Sequence, residues 1–146
     1  MKKIKKLGLL GTGVIGGGWA ARALHVGIDV IASDINPKME EWIISAVETA
    51  SPSLNALTEG IELPPKGNLT FTTDPISMAQ QSDLIQENIP EVLNVKRKSL
   101  KIIAEVTKKD IIISSSTSGF MPSELQEGMN FPERFIVGHP FNPVYL

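Results

Sequence analysis

Two rhythms of apolar and polar positions alternate along this chain. Short apolar runs rich in β-branched residues are separated by longer stretches where apolar residues return every three or four positions. That pattern predicts strands joined by crossover helices, the arrangement of a parallel sheet. Ile4 to Leu10 reads as the first strand and Val14 to Val26 as a helix, closed by Gly27. Ile28 to Ser33 reads as the second strand, ending at Asp34. Asn36 is expected to cap the next helix, with Pro37 in its first turn, and that helix runs to about Leu57. The stretch from Thr58 to Gly67 holds Gly60 and Pro64-Pro65 and is read as a loop.

Leu69 to Thr73 is a short third strand, and Asp74 caps a short helix begun by Pro75. Asp83 to Gln86, Ile111 to Ser114 and Arg134 to Gly138 complete the strands. A long helix from Glu91 to Val106 and a short one from Pro122 to Glu127 lie between them. The fifth strand begins fully apolar, as a strand buried on both faces should. The expected fold is α/β: a doubly wound, mainly parallel sheet of order 3-2-1-4-5-6 with helices on both faces, of Rossmann type.

Composition narrows the function. The 146 residues carry a net charge of −2, which argues against nucleic acid, because release of phosphate counterions needs a basic surface. There is no cysteine, so neither disulfides nor thiolate metal sites can form. Only His25 and His139 offer imidazole, and neither stands in a ligand-spaced cluster, so no metal site is expected. The N-terminus has the outline of a signal peptide: Lys2, Lys3, Lys5 and Lys6, an apolar stretch, then Ala20-Ala21-Arg22-Ala23. Gly11, Gly13 and Gly16 to Gly18 interrupt that stretch and fit a different rule better. With no apolar run of about 20 residues for a membrane span, a cytoplasmic protein is expected.

That rule is the dinucleotide fingerprint. Gly11-Thr12-Gly13-Val14-Ile15-Gly16 follows a strand and opens a helix. Gly11 permits the tight turn, Gly13 lets the backbone approach a pyrophosphate, and Gly16 lets the helix pack closely on the sheet. The N–H groups at the helix start then meet the phosphates. Asp34, at the end of the second strand, is placed to accept both ribose hydroxyls of NAD and to repel the extra phosphate of NADP. No arginine adjoins it. NAD is therefore the expected cofactor.

Two further segments fall at strand ends, where open α/β sheets bind ligands. Ser114 to Gly119 is rich in hydroxyls, and His139-Pro140-Phe141-Asn142-Pro143 brings an imidazole. A histidine can take a proton at neutral pH while a serine holds the substrate oxygen. The same residues are equally consistent with a turn-rich loop and a satisfied histidine.

GTGVIG, Asp34, SSTSG and HPFNPVYL together resemble the N-terminal domain of the 3-hydroxyacyl-CoA dehydrogenase superfamily over essentially the whole chain. The acyl-CoA members typically carry Asn-Thr-Ser and His-Phe-Phe-Asn-Pro. Here Ser116-Thr117-Ser118 and His139-Pro140-Phe141 stand instead, and SSTSGFMPSEL with GHPFNPVYL follows the carnitine-oxidising branch. The resemblance implies that His139 is the catalytic base, that Ser118 binds the reacting hydroxyl, and that Asn142 lies near the nicotinamide and the substrate oxygen. It also implies that Glu91 and Lys96 stand near the cofactor ribose, and that the small-molecule substrate is L-carnitine.

The superfamily pairs its histidine with a glutamate about a dozen residues downstream, which orients the imidazole as a triad aspartate does. That position falls past Leu146. A helical C-terminal domain that closes the substrate cleft and forms a homodimer is implied as well, so the chain is expected to be a domain of a longer protein. The alternatives are a hydroxyacyl-CoA or gulonate-type dehydrogenase, and a non-catalytic NAD-binding protein of the crystallin kind. Retention of both Ser118 and His139 argues against the last.

Among the remaining residues, Trp19, Trp42, Phe141 and Val144 are expected to pack, and Tyr145 to line the cleft. His25, near a helix C-terminus, is expected to favour its charged form. The first lysines are expected to form a solvated edge.

Overall fold

The computed structural model describes residues 3–146. Six strands form one sheet: β1 Lys6–Leu10, β2 Asp29–Ser33, β3 Leu69–Thr72, β4 Leu84–Glu87, β5 Ile112–Ser115 and β6 Phe135–Val137. Their order is β3-β2-β1-β4-β5-β6, and every neighbouring pair is parallel. The doubly wound fold and its strand order are those read from the sequence. Five helices connect the strands: α1 Val14–His25, α2 Met39–Leu57, α3 Pro75–Gln81, α4 Leu93–Val106 and α5 Pro122–Leu125.

The two-residue period of the strands divides the core. Leu7 and Leu9 of β1, with Val30 and Ala32 of β2, face Ala20, Ala23 and Leu24 of α1 and Ile43 of α2. Leu10, Ile31, Ile85 and Ile113 face the opposite way, onto Met78 of α3, Leu100 and Ile103 of α4 and Leu125 of α5. Leu9, Ile85 and Ile113 are wholly buried, and each contributes about 1.5–3 kcal/mol by leaving water. The two faces together fix the register that brings Leu10 beside Ser33 and Glu87, so three strands end at one level.

The local signals act as their chemistry dictates, with one difference. Gly27 takes a positive φ of 81° just past α1, and Asp74 caps α3 by accepting the Ile76 N–H at 2.9 Å. Asn36 does not cap α2. Its carboxamide oxygen accepts the Lys38 N–H at 3.1 Å, forming a side-chain turn, and the helix starts only at Met39. Further along, α2 continues through Pro52. A short 3₁₀ turn, Pro132–Arg134, precedes β6. Arg134 is buried and donates to the carbonyls of Ala104 and Lys108, at 2.5 Å each, tying β6 to the end of α4.

His25 also departs from expectation. It is 6 % exposed, and its Nε2 lies 2.9 Å from the Thr58 hydroxyl. Burial, then Lys66 and Arg22, lower its pKa, so the neutral ring is favoured over the charged one. Phe141 is 87 % exposed rather than packed. Val144, by contrast, sits against Gly18 of α1, and Tyr145 packs beside Ala21, Ala50 and Leu54. Lys3, Lys5 and Lys6 are exposed, while Lys2 lies outside the described residues. Among the described residues no helix is long and apolar enough to cross a membrane.

Candidate functional site

The glycine turn links β1 to α1. Gly11 has a φ of 89°, a conformation open to glycine, and its N–H donates to the Ser33 carbonyl at 2.8 Å. A Cβ on Gly16 would overlap the Gly11 carbonyl oxygen, so the helix can lie this close only without one. Gly13 differs: a Cβ there would meet nothing within 4 Å. The protein does not need that glycine for its own packing, and the open space in front of it suits an approaching phosphate. The first turn of α1 has no side-chain cap and no acidic residue, so its N–H groups and the positive end of its dipole are free for an anion.

A cleft of about 560 Å³ opens beside this turn. Gly11, Gly13, Asp34 and Ile35 form one wall, and Ile89, Pro90, Val95 and Ile102 the other. Asp34 Oδ2 accepts both the backbone N–H and the hydroxyl of Thr12, each at 3.0 Å, while Oδ1 accepts the Asn36 N–H at 3.0 Å. Thr12 is fully buried, so it fixes the carboxylate at the mouth of the turn. Among the described residues, no lysine or arginine lines the cleft. A largely apolar cleft ending at a held carboxylate fits an adenine with its ribose diol, and it disfavours a second phosphate on that ribose.

Along the same edge of the sheet, past the end of β4, a charged cluster organises the loops. Lys96 of α4 reaches Glu87 Oε1 at 2.7 Å, the Ile89 carbonyl at 3.1 Å and Glu91 Oε2 at 3.2 Å. Glu87 also accepts the Ile89 N–H at 2.7 Å through Oε1 and takes a short hydrogen bond from the Ser115 hydroxyl through Oε2. Glu91 Oε1 accepts the Thr117 hydroxyl at 2.5 Å and the N–H groups of Ser118 and Gly119 at 3.1 and 3.0 Å. Partial burial works against its charged form. The Thr117 hydroxyl, the Gly119 N–H and the Lys96 ammonium outweigh that and hold the carboxyl below the usual carboxylate range.

Glu91 therefore clasps the backbone that carries Ser118, and Lys96 has three protein acceptors around its ammonium. Ser118 and His139 follow the ends of β5 and β6, which are neighbours, and both are exposed. The His139 ring meets Phe141 edge-on, with centroids 5.9 Å apart. Asn142 lies in a groove bordered by Val14, Gly18 and Trp42, close to the first turn of α1. Among the described residues, no hydrogen bond joins the side chains of Ser118, His139 and Asn142.

Residues 6–146 match the family described as 3-hydroxyacyl-CoA dehydrogenase, NAD binding domain. The chain belongs to that family. NAD is the cofactor of the domain, and the uncapped helix start, the space before Gly13 and the carboxylate of Asp34 are the features here that fit it.

Similarity extends to whole-chain relatives. A protein named L-carnitine dehydrogenase from Bacillus cereus is 48% identical over 145 residues, covering 98% of this chain and 44% of its own length. One of the same name from Oceanobacillus iheyensis is 45% identical over 145 residues, covering 98% of this chain and 46% of its own. The chain thus spans less than half the length of these curated relatives. Among solved structures, 5-formyl-3-hydroxy-2-methylpyridine 4-carboxylic acid 5-dehydrogenase, described as an NAD+-dependent dismutase, superposes with a TM-score of 0.87. It shares 34% identity, over 98% of this chain and 46% of that one.

Several residues of this 3-hydroxyacyl-CoA dehydrogenase domain carry no motif and escape the sequence reading. Glu87 is the clearest: it is wholly buried at the end of β4, one residue past the expected end of that strand. Gln86 and Asn88 belong with it. The available signal was three consecutive polar residues, Gln86-Glu87-Asn88, closing an otherwise apolar strand.

Proposed function

We propose that this chain is the cofactor-binding part of a dehydrogenase that oxidises the 3-hydroxyl of L-carnitine to 3-dehydrocarnitine with NAD. The observation that carries the substrate is the 48% identity to an L-carnitine dehydrogenase, which runs through both strand-end segments. The geometry supports the rest. Ser118 presents an unbonded hydroxyl on a backbone held by Glu91, and His139 presents an unbonded imidazole beyond the next strand.

In this reading the Ser118 hydroxyl bonds the substrate oxygen, His139 removes its proton, and Asn142 offers an amide beside the same oxygen and the nicotinamide ring. Bound NAD supplies the hydride acceptor. Asp34 holds the adenosine ribose, and Glu91 with Lys96 braces the loop near the second ribose. The remainder of a protein of the relatives' length supplies a helical domain, an acid that orients His139 and a homodimer contact. The 146 residues alone then bind NAD but turn over poorly. The same reading places the protein in the cytoplasm.

The test is the full-length protein offered L-carnitine, 3-hydroxybutyryl-CoA and gulonate in turn, with NADH formation followed by absorbance. L-Carnitine is expected to be oxidised with NAD and far more slowly with NADP. Replacing Asp34 by arginine should weaken NAD binding by at least about tenfold, the scale of losing a pair of charge-assisted hydrogen bonds, and narrow the preference over NADP. Oxidation of the acyl-CoA or gulonate without L-carnitine would refute the substrate. NAD binding without turnover of any of the three would favour a non-catalytic role.

A further inference from the structure

A partly buried network of amides and hydroxyls joins the ends of β4, β5 and β6, and cofactor binding does not account for it. Gln86 is only 3 % exposed, on a strand that is otherwise apolar up to that point. Its register places it beside Ser114 of β5. Gln86 Nε2 donates to Ser116 Oγ at 2.7 Å and to the Gly138 carbonyl at 3.3 Å. The Ser116 hydroxyl donates onward to Asn88 Oδ1 at 2.7 Å. Asn88 Nδ2 donates to the Gln86 carbonyl at 3.2 Å and lies 3.5 Å from the Gly11 carbonyl. The network runs unbroken from the first glycine of the phosphate turn to the residue before His139.

Burial of a primary amide costs free energy unless its hydrogens find acceptors, and an aliphatic residue would sit in a central parallel strand without that cost. Here the amide hydrogens are both used, and one goes to the carbonyl that opens the peptide unit of His139. Gly138 is held a second time, through its N–H to the Ser115 carbonyl at 2.9 Å. A Cβ at Gly138 would overlap the Ser114 hydroxyl, so the backbone there lies directly against β5. Two strands, one of them not its neighbour in the sheet, therefore fix where the segment bearing the imidazole leaves the sheet.

We propose that Gln86 is a positioning residue for His139. It sets the height of the imidazole relative to Ser118 by holding the Gly138 carbonyl, and Ser116 shares the load as the second acceptor of its amide. The proposal rests on His139 being the base, and the experiment separates the two.

The experiment is a double-mutant cycle in the full-length protein: Gln86→Leu, His139→Asn and both together. It is run with whichever of L-carnitine and 3-hydroxybutyryl-CoA the wild type oxidises. Leucine matches glutamine in size and keeps β4 packed. Gln86→Leu should lower kcat by about 100-fold, the effect of an ångström-scale misplacement of a reacting group. The KM for NAD should stay within about twofold, because uniform cofactor binding is untouched. In the His139→Asn background the same change should lower kcat no further, since residues acting as one unit are not additive. Hydrogen exchange at the Gly138 amide, which needs no substrate, should quicken by about tenfold.

Equal losses in both backgrounds would overturn the proposal, as would an unchanged kcat with unchanged exchange. A His139→Asn protein that turns over at the wild-type rate would instead sink the base assignment, and the proposal with it. Should Gln86→Leu fail to fold, Ser116→Ala breaks the same network from a half-buried position. Its kcat should drop and be restored by Ser116→Thr, and no drop overturns the proposal.

Discussion

Lys96 faces Glu87 across 2.7 Å, and no more than 1 % of either side chain is exposed. Two opposite charges so far from water are stable only when every remaining lone pair and proton is bonded. The Ile89 carbonyl, Glu91 Oε2, the Ile89 N–H and the Ser115 hydroxyl complete that set. Removing one partner leaves the other charged and alone. Lys96→Met should therefore lower the unfolding free energy by about 3–5 kcal/mol, read from urea denaturation. Adding Glu87→Leu to that variant should recover part of the loss, because an apolar pair needs no compensation. A further loss on adding the second change would contradict the pairing.

Two of the fingerprint glycines, Gly13 and Gly16, should respond differently to a methyl group. Gly13 has φ −63° and ψ −165°, which an alanine adopts without strain, and its missing side chain faces open space. Gly13→Ala should leave stability unchanged or raise it by about 0.4–1 kcal/mol, while calorimetry shows NAD affinity reduced by about tenfold or more through the intruding methyl. Gly16→Ala drives a methyl into the Gly11 carbonyl and should cost about 1–3 kcal/mol in stability. A Gly13→Ala protein that binds NAD normally would show that the pyrophosphate does not pass there.

His25 predicts a dependence on pH. Burial first, then Lys66 and Arg22, hold its folded pKa below the ordinary histidine value. In the window between those two values the unfolded chain binds more protons than the folded one. The stabilising contribution is thus complete above the ordinary histidine range and is lost as pH falls through the lower folded value. Urea midpoints of the wild type should decline across that interval, and His25→Gln should flatten the decline while leaving the Thr58 contact available. A wild-type midpoint that rises on acidification would restore the expectation of a charged ring at the helix end.

The elements and the glycine turn with its neighbouring carboxylate were legible because they rest on short-range rules. Alternation located all six strands, and Asp74 and Gly27 marked helix ends where capping chemistry requires them. The fingerprint glycines and Asp34 belong to adjacent elements whose geometry the strand-turn-helix unit dictates. Asn36 misled for an equally local reason: an asparagine oxygen can serve a side-chain turn as readily as a helix cap. His25 misled because burial, which no local pattern reports, outweighs the helix dipole.

The chain order of residues thus determined the strand order, the glycine turn and the carboxylate of Asp34 held beside it, since each follows from neighbours within a few tens of positions. Only the folded sheet decided what meets at its upper edge. Glu87, Lys96, Glu91 and Ser115 come from separate segments, and Gln86 touches Gly138 across 52 positions. Those contacts exist because parallel register stacks the strand ends at one level. A register set by the whole core is not written in any one segment.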